Sequence, residues 1–377
     1  MKNPFRYGET VTGISFINRE DEIEELVKDL KEGQNIFLYS PRRYGKTSLI
    51  IYVLNILRKE GLLTSYLDLY EVTSRRELLE KYAQVIALGA TTKLQQIAKA
   101  VKEFFPNIQP KVTFTSNGMP SIGIDYQIKE KELKRFLEEI YDAPQKIAKK
   151  RKKIFVFVFD EFQEITNLDG VKIEKEMRAR FQHHNKVSYV FMGSKKSLIT
   201  EVFNNPNRPF YKMGKIMNLK KIPEERFKKF IINSFKREGF AIAREVPEQI
   251  LEITQNIPYY TQLLCHEIWN VCLDTKKVTT ERVNLVVEKI IDNQSQLFLT
   301  IWDALSLHQR RLIEALTLQP EKELFSSKFI TENELISAGS VQSSIKILLK
   351  RGLVDKENGK YFIIDIFFRE WIRRKLC

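Results

Sequence analysis

Cysteine is scarce in this 377-residue chain: only Cys265, Cys272 and Cys377 are present. An odd number of scattered thiols excludes a disulfide framework and fits a reducing compartment. Cys265 has His266 beside it, but no second Cys/His pair stands at a zinc spacing. Cys265 therefore reads as a small core hydrophobe. Long apolar runs are missing too. The longest, Ile154 to Phe159, is far short of the ~20 residues of a membrane span. The opening Met1–Gly8 has no apolar stretch of the kind a secretory signal needs. A soluble, cytoplasmic protein without a membrane partner is expected. Internal repeats and low-complexity tracts are also lacking.

What is present is ordinary globular material. Hydrophobic residues make up 43% and charged residues 29%, enough to build large cores. The length predicts two or three domains at roughly 100–200 residues each. Lys+Arg exceeds Asp+Glu by 62 to 48, a net charge of +14. That excess suits an anionic partner, or serves solubility alone.

Over about 1–215, strand and helix patterns alternate. Strands are expected at Asn35–Tyr39, Leu62–Leu69, Ile154–Phe159 and Val187–Met192, with helices between them. A strand as apolar as Ile154–Phe159 is one buried on both faces of a parallel sheet. This predicts an α/β fold with a doubly wound parallel sheet. Residues 106–127 carry two alternating stretches around Asn117-Gly118, a hairpin signal. Beyond Leu219 the strand signals fade, and 216–296 reads as all-helical. Residues 297–377 read as helix (Gln309–Leu318), short helix (Glu332–Ala338), helix (Ser340–Arg351) and two strands around Asn358-Gly359. That is the order of a winged helix-turn-helix.

The chemistry concentrates at Ser40-Pro41-Arg42-Arg43-Tyr44-Gly45-Lys46-Thr47-Ser48. A strand runs into a tight loop, and Gly-Lys-Thr opens a helix. Such a loop presents backbone N–H groups and a helix N-terminus to an anion. Lys46 would pair with β/γ-phosphates, and Thr47 would place its hydroxyl on Mg²⁺. Ser40 stands where the phosphate-loop pattern has glycine. A second acid-bearing strand supplies Asp160 for the metal shell and Glu161 to orient or deprotonate water. Ser194 ends the next strand, where it can reach a γ-phosphate or cap a helix. Arg42, Arg43, Arg178, Arg180 and Arg208 are arginine-finger candidates, with surface or structural pairing the blander alternative.

The combination of Phe16-Ile-Asn18-Arg19-Glu20, Ser40 to Ser48, Phe159-Asp-Glu-Phe-Gln-Glu164, Met192-Gly-Ser194 and Arg208-Pro-Phe-Tyr211 resembles the archaeal-type P-loop ATPase family, allied to the AAA+ and STAND ATPases. The resemblance implies an AAA-like core, a helical lid and a C-terminal winged helix, with ATP and Mg²⁺ as cofactors. It implies that Phe16, Asn18 and Arg19 line the adenine side, that Lys46, Thr47 and Asp160 hold phosphate and metal, and that Glu161 is the catalytic acid/base. It also carries over a lid turn at Asn256-Ile257-Pro258, with Pro258 toward the nucleotide. Asn256 replaces the usual glycine, and asparagine tolerates a left-handed backbone.

On the helix Ser340–Arg351, Val341, Ile345, Leu348 and Leu349 share the core face, while Gln342, Ser343, Lys346 and Lys350 point away. Those four suit duplex DNA or a protein partner. A slow, switch-like ATPase is expected, with an ATP-regulated DNA-binding protein as the alternative. A nucleotide-dependent oligomer remains open.

Overall fold

The computed structural model describes residues 2–10, 19–90, 110–114, 120–124, 130–194, 201–320, 323–357 and 359–376. Phe16, Asn18, the Asn117-Gly118 turn, Asn358 and Cys377 lie outside the described residues. The chain divides into two compact units, Gly8–Ile222 and Met1–Tyr7 with Pro223–Cys377.

The first unit runs α1 (Glu20–Lys31), β1 (Ile36–Tyr39), α2 (Lys46–Lys59), β2 (Leu63–Asp68), α3 (Arg75–Ala90), the hairpin β3 (Pro110–Phe114) and β4 (Pro120–Ile124), α4 (Glu130–Arg151), β5 (Phe155–Asp160), α5 (Gly170–Phe181), β6 (Val187–Gly193) and β7 (Lys215–Asn218). All six residues of β5 and all seven of β6 are buried. Strand periodicity then sorts the side chains by face. Phe155, Phe157 and Phe159 join Tyr189, Phe191 and Phe37 in a core roofed by α3, α4 and α5. Val156, Val158, Val190, Ile36 and Leu38 turn the other way, against Leu26 and Leu30 of α1 and Leu49, Ile50 and Val53 of α2.

The sheet order is β2-β5-β6-β1-β7, and every pairing is parallel. The chain leaves β1 for the far edge and returns through β5 and β6, so β6 sits between the loop-bearing β1 and the acid-bearing β5. In register, Asp68 stands opposite Asp160, and Tyr39 opposite Gly193. The carboxyl ends of β1, β5 and β6 thus adjoin at the point where strand order reverses, which is where open α/β sheets bind ligands. The fifth strand, Lys215–Asn218, is not among the four expected. It is a short edge strand with Met217 its one buried residue, so it carries almost no hydrophobic pattern.

The second unit contains α6 (Glu224–Arg237), β8 (Ala241–Ile242), α7 (Val246–Ile253), α8 (Pro258–Val271), β9 (Lys277–Val278), α9 (Thr280–Asp303), α10 (Leu307–Leu318), α11 (Ser327–Glu332), α12 (Ala338–Lys350), β10 (Val354–Glu357), β11 (Lys360–Ile363) and α13 (Ile366–Leu376). The stretch expected to be all-helical also holds a two-residue parallel pair, β8 with β9. The short helix expected at Glu332–Ala338 lies instead at Ser327–Glu332. Ser326 caps it by accepting from the Phe329 N–H. Glu334 takes φ 49°, and Ser337 starts the next helix through a capping box with Ser340. The antiparallel β10–β11 pair forms the wing. The chain's first residues belong to this unit. Phe5 is fully buried against Phe230 and Phe235, and its carbonyl meets His266 Nδ1 at 2.8 Å. Cys265 is fully buried in the same unit, and burial pushes its thiol well up. Among the described residues, no helix is long and apolar enough to cross a membrane.

Candidate functional site

The loop Ser40–Gly45 joins β1 to α2. Two of its residues adopt left-handed angles, Arg43 at φ 72° and Gly45 at φ 83°. Such alternation curls successive N–H groups toward one side. A Cβ on Gly45 would meet nothing within 4 Å, so the backbone angle, not space, calls for glycine there. Gly45 is also the N-cap of α2 and offers no side-chain acceptor, and the helix's first turn has no acid. The N-terminus of α2 thus has neither a side-chain cap from Gly45 nor an acid in its first turn to offset its positive dipole end. Ser40 is buried. Its hydroxyl donates to the Pro41 carbonyl at 3.2 Å, and its N–H to the Gly193 carbonyl at 3.4 Å, which ties the loop to β6. Arg42 is exposed, Tyr44 is buried, and Ser48 lies in the first turn of α2.

Lys46 is 7% exposed. Its Nζ lies 3.2 Å from Asp160 Oδ1 and 3.4 Å from Glu161 Oε1. Thr47 donates to Asp160 Oδ2 at 3.0 Å. Glu161 follows β5 directly and takes φ 47°, an angle unusual for glutamate and of the kind found at functional sites. Its Oε2 accepts from Ser194 at 3.0 Å and from Gln163 Nε2. One carboxylate thus gathers three donors, from the loop helix, from the end of β6 and from its own turn.

Three further residues join the cluster that sequence reading leaves out. The Tyr66 hydroxyl donates to Asp160 Oδ2 at 2.6 Å. Burial and the adjoining Asp160 push this phenol far up, so it stays a neutral donor. Gln163 is buried, and its Oε1 has no partner among the described residues. Asp68 is a third carboxylate on the same sheet edge. Burial raises its pKa, the Tyr70 N–H opposes that, and the charges of Asp160 and Glu161 add to the rise. The signal for Asp68 is positional: it ends the strand that pairs with the acid-bearing one, while Tyr66, two residues earlier, leaves none. Gln163 stands two residues after Glu161.

Arg19 begins α1, with its guanidinium bound to Glu22, Tyr44 and Lys220. Arg208 pairs with the fully buried Glu174 and with Glu201. Arg180 pairs with Asp142, which His184 also contacts. Burial works against the Asp142 charge, but hydrogen bonds from His184 and Arg180 prevail and hold this carboxyl well below the usual range. Both arginines are thus engaged structurally within their own unit. Pro258 belongs to the other unit, where it is the buried first residue of α8. Gln255 and Asn256 before it are left-handed, at φ 51° and 58°, so asparagine does sustain that turn.

Known proteins resemble this chain in sequence or in fold. The chain is 23% identical over 161 residues to a probable DNA polymerase III subunit delta of Aquifex aeolicus, a match covering 41% of this chain. It spans under half, 45%, of that relative's length. Its fold is similar to that of a Walker-type ATPase of Pyrococcus abyssi, with TM-score 0.65 and 16% identity over 95% of this chain and 96% of that one. It is also similar to the Aeropyrum pernix ORC1 protein, solved in complex with DNA, with TM-score 0.50 and 15% identity over 97% and 94% of the two chains. Residues 296–374 match a probable winged helix domain. Residues 16–264, well over half of the chain, match an ATPase domain predominantly from Archaea. The chain therefore belongs to that ATPase family, its ATPase domain of P-loop fold followed by a winged helix domain.

Proposed function

We propose that this ATPase is a nucleotide switch, in which the state of the phosphate loop governs what the winged helix does. The observation that carries the reading is the convergence of Lys46, Ser194 and Gln163 on Glu161. A β/γ-phosphate group competes with Asp160 and Glu161 for the Lys46 ammonium. Drawing Lys46 away leaves Glu161 held by two neutral donors and better able to take a proton from an attacking water. Ser194 is then the link between γ-phosphate and base: its hydroxyl can serve one or the other. The Thr47 hydroxyl and Asp160 carboxylate, already 3.0 Å apart, are the hard oxygen donors that suit Mg²⁺. Bound there with substrate phosphates, Mg²⁺ would neutralise developing charge. Tyr66 orients Asp160 through its Oδ2.

A second reading takes duplex DNA as the winged helix's ligand. Gln342, Ser343, Lys346 and Lys350 are all exposed on the outer face of α12, and the ORC1 relative in fold was solved with DNA. Steady-state ATP turnover, with and without duplex DNA, separates the two readings, with Lys46→Ala as the control. Slow turnover indifferent to DNA, and lost in the variant, supports a switch acting on a protein. Turnover that rises with DNA makes DNA the coupled partner. Turnover that survives Lys46→Ala removes the site.

A further inference from the structure

We propose that Arg19 is a positioning residue that locks the phosphate loop to the chain's crossing into the second unit, so that nucleotide held on the loop is felt at that crossing. The inference rests on the switch reading above. The chain passes between units twice, at Tyr7–Gly8 and at Ile222–Pro223. Arg19 is the N-cap residue of α1, the first described helix after the first crossing, and its guanidinium reaches Lys220, two residues before the second. Nη1 donates to the Lys220 carbonyl at 3.0 Å and to Glu22 Oε1 at 2.9 Å. Nη2 donates to the Tyr44 carbonyl at 3.0 Å. Lys220 follows Leu219, whose N–H still pairs with the Tyr39 carbonyl of β1 at 2.9 Å.

The side chain is 3% exposed, and burial lowers its pKa despite Glu22. A guanidinium taken out of water is retained only where its donors are well satisfied. Here the donors go to backbone carbonyls on two separate segments. The Tyr44–Gly45 peptide is trans, so its N–H points opposite to its C=O. Holding the Tyr44 carbonyl toward Arg19 therefore aims the Gly45 N–H away from Arg19. The direction of a phosphate-loop donor and the position of Lys220 are set by the same planar group. A lysine has one ammonium on a flexible stem and cannot hold both carbonyls and Glu22 in that fork.

Hydrogen exchange of the full chain, with and without a non-hydrolysable ATP analogue and Mg²⁺, tests this. In the wild type, the analogue should slow exchange at 40–48 and also at 219–223. In Arg19→Lys, protection at 40–48 should persist with analogue affinity weakened about tenfold, while protection at 219–223 is lost. If wild-type protection stops at 40–48, the inference is overturned while the nucleotide site stands. If it appears in neither segment, the switch reading fails and the inference with it. If Arg19→Lys keeps protection at 219–223, another residue carries the coupling. Should Arg19→Lys fail to fold, Glu22→Gln leaves the guanidinium in place and removes its carboxylate. It should weaken protection at 219–223 more than at 40–48, and equal protection in both would overturn the inference.

Discussion

The carboxyl edge of the sheet and the outer face of α12 both present lysines, yet they are built in opposite ways. At the sheet edge, Lys46 and Asp160 are almost fully buried, and Lys46, Thr47, Tyr66 and Ser194 each meet a carboxylate oxygen at 3.2 Å or less. On α12, Lys346 and Lys350 stand exposed beside Ile347, which is 46% exposed. Buried charge in fixed geometry serves chemistry, because a preorganised group acts at full strength where water is excluded. Exposed charge on a helix face serves recognition, since it trades counterions at little cost and tolerates change. The first region should therefore break steeply when one residue is altered, and the second should decline by degrees.

The steepest loss is expected for Lys46→Ala. Removing one partner of a buried charge cluster leaves Asp160 and Glu161 facing each other and any phosphate uncompensated. Nucleotide affinity should fall about 10³-fold or more, measured by titration of a labelled ATP analogue. Retention of wild-type affinity would mean that the loop is not the phosphate site. Glu161→Gln comes next. The amide keeps the size and can still accept from Ser194, but it cannot take a proton. Turnover should fall about 10²–10³-fold while affinity stays within a few-fold, and single-turnover hydrolysis read beside equilibrium binding separates the two. Ser194→Ala is smaller, since it removes one hydroxyl donor to a charged group. A drop of about tenfold in kcat with little change in affinity is expected, and a loss in affinity alone would place Ser194 on the substrate and not on the base.

How much of this is legible in the sequence follows the same contrast. Lys46, Thr47, Asp160 and Glu161 are legible because their roles depend on local sequence: a glycine that must turn, a helix that must start, an acid ending an apolar strand. The alternation Phe-Val-Phe-Val-Phe of β5 likewise announces a strand buried on both faces. Asn256 shows the same local logic, its left-handed angle being one that asparagine accepts. Tyr66 is not legible, because an aromatic in a strand is ordinary. Only the pairing of β2 with β5 brings its hydroxyl to Asp160. Arg19 is quoted for its motif, but its three partners lie 3, 25 and 201 residues away, and only folding brings the distant two to it. The edge strand at Lys215–Asn218 buries too little to leave a pattern. The short helix of the winged domain shifts register because caps at Ser326 and Ser337, rather than apolar spacing, set where its helices begin.

The smallest effects belong to the winged helix, and they are the ones that decide between its partners. Val341, Ile345 and Leu348 anchor α12 in the core, so Lys346 and Lys350 can be changed without disturbing the fold. If α12 meets DNA, each lysine that contacts a phosphate releases about one counterion. Lys346→Ala and Lys350→Ala should then each reduce the salt slope of duplex binding by about 0.9. Affinity should weaken similarly across sequences, because phosphate contacts carry no base information. Gln342→Ala should behave differently, leaving the slope unchanged while lowering discrimination between sequences, as loss of a base-edge contact does. Binding measured at several salt concentrations on two unrelated duplexes distinguishes these patterns. A slope unchanged by either lysine substitution would take α12 off the DNA. The face with Ile347 among its lysines would then be read as one that meets protein, where a half-exposed isoleucine contributes by burial rather than by charge.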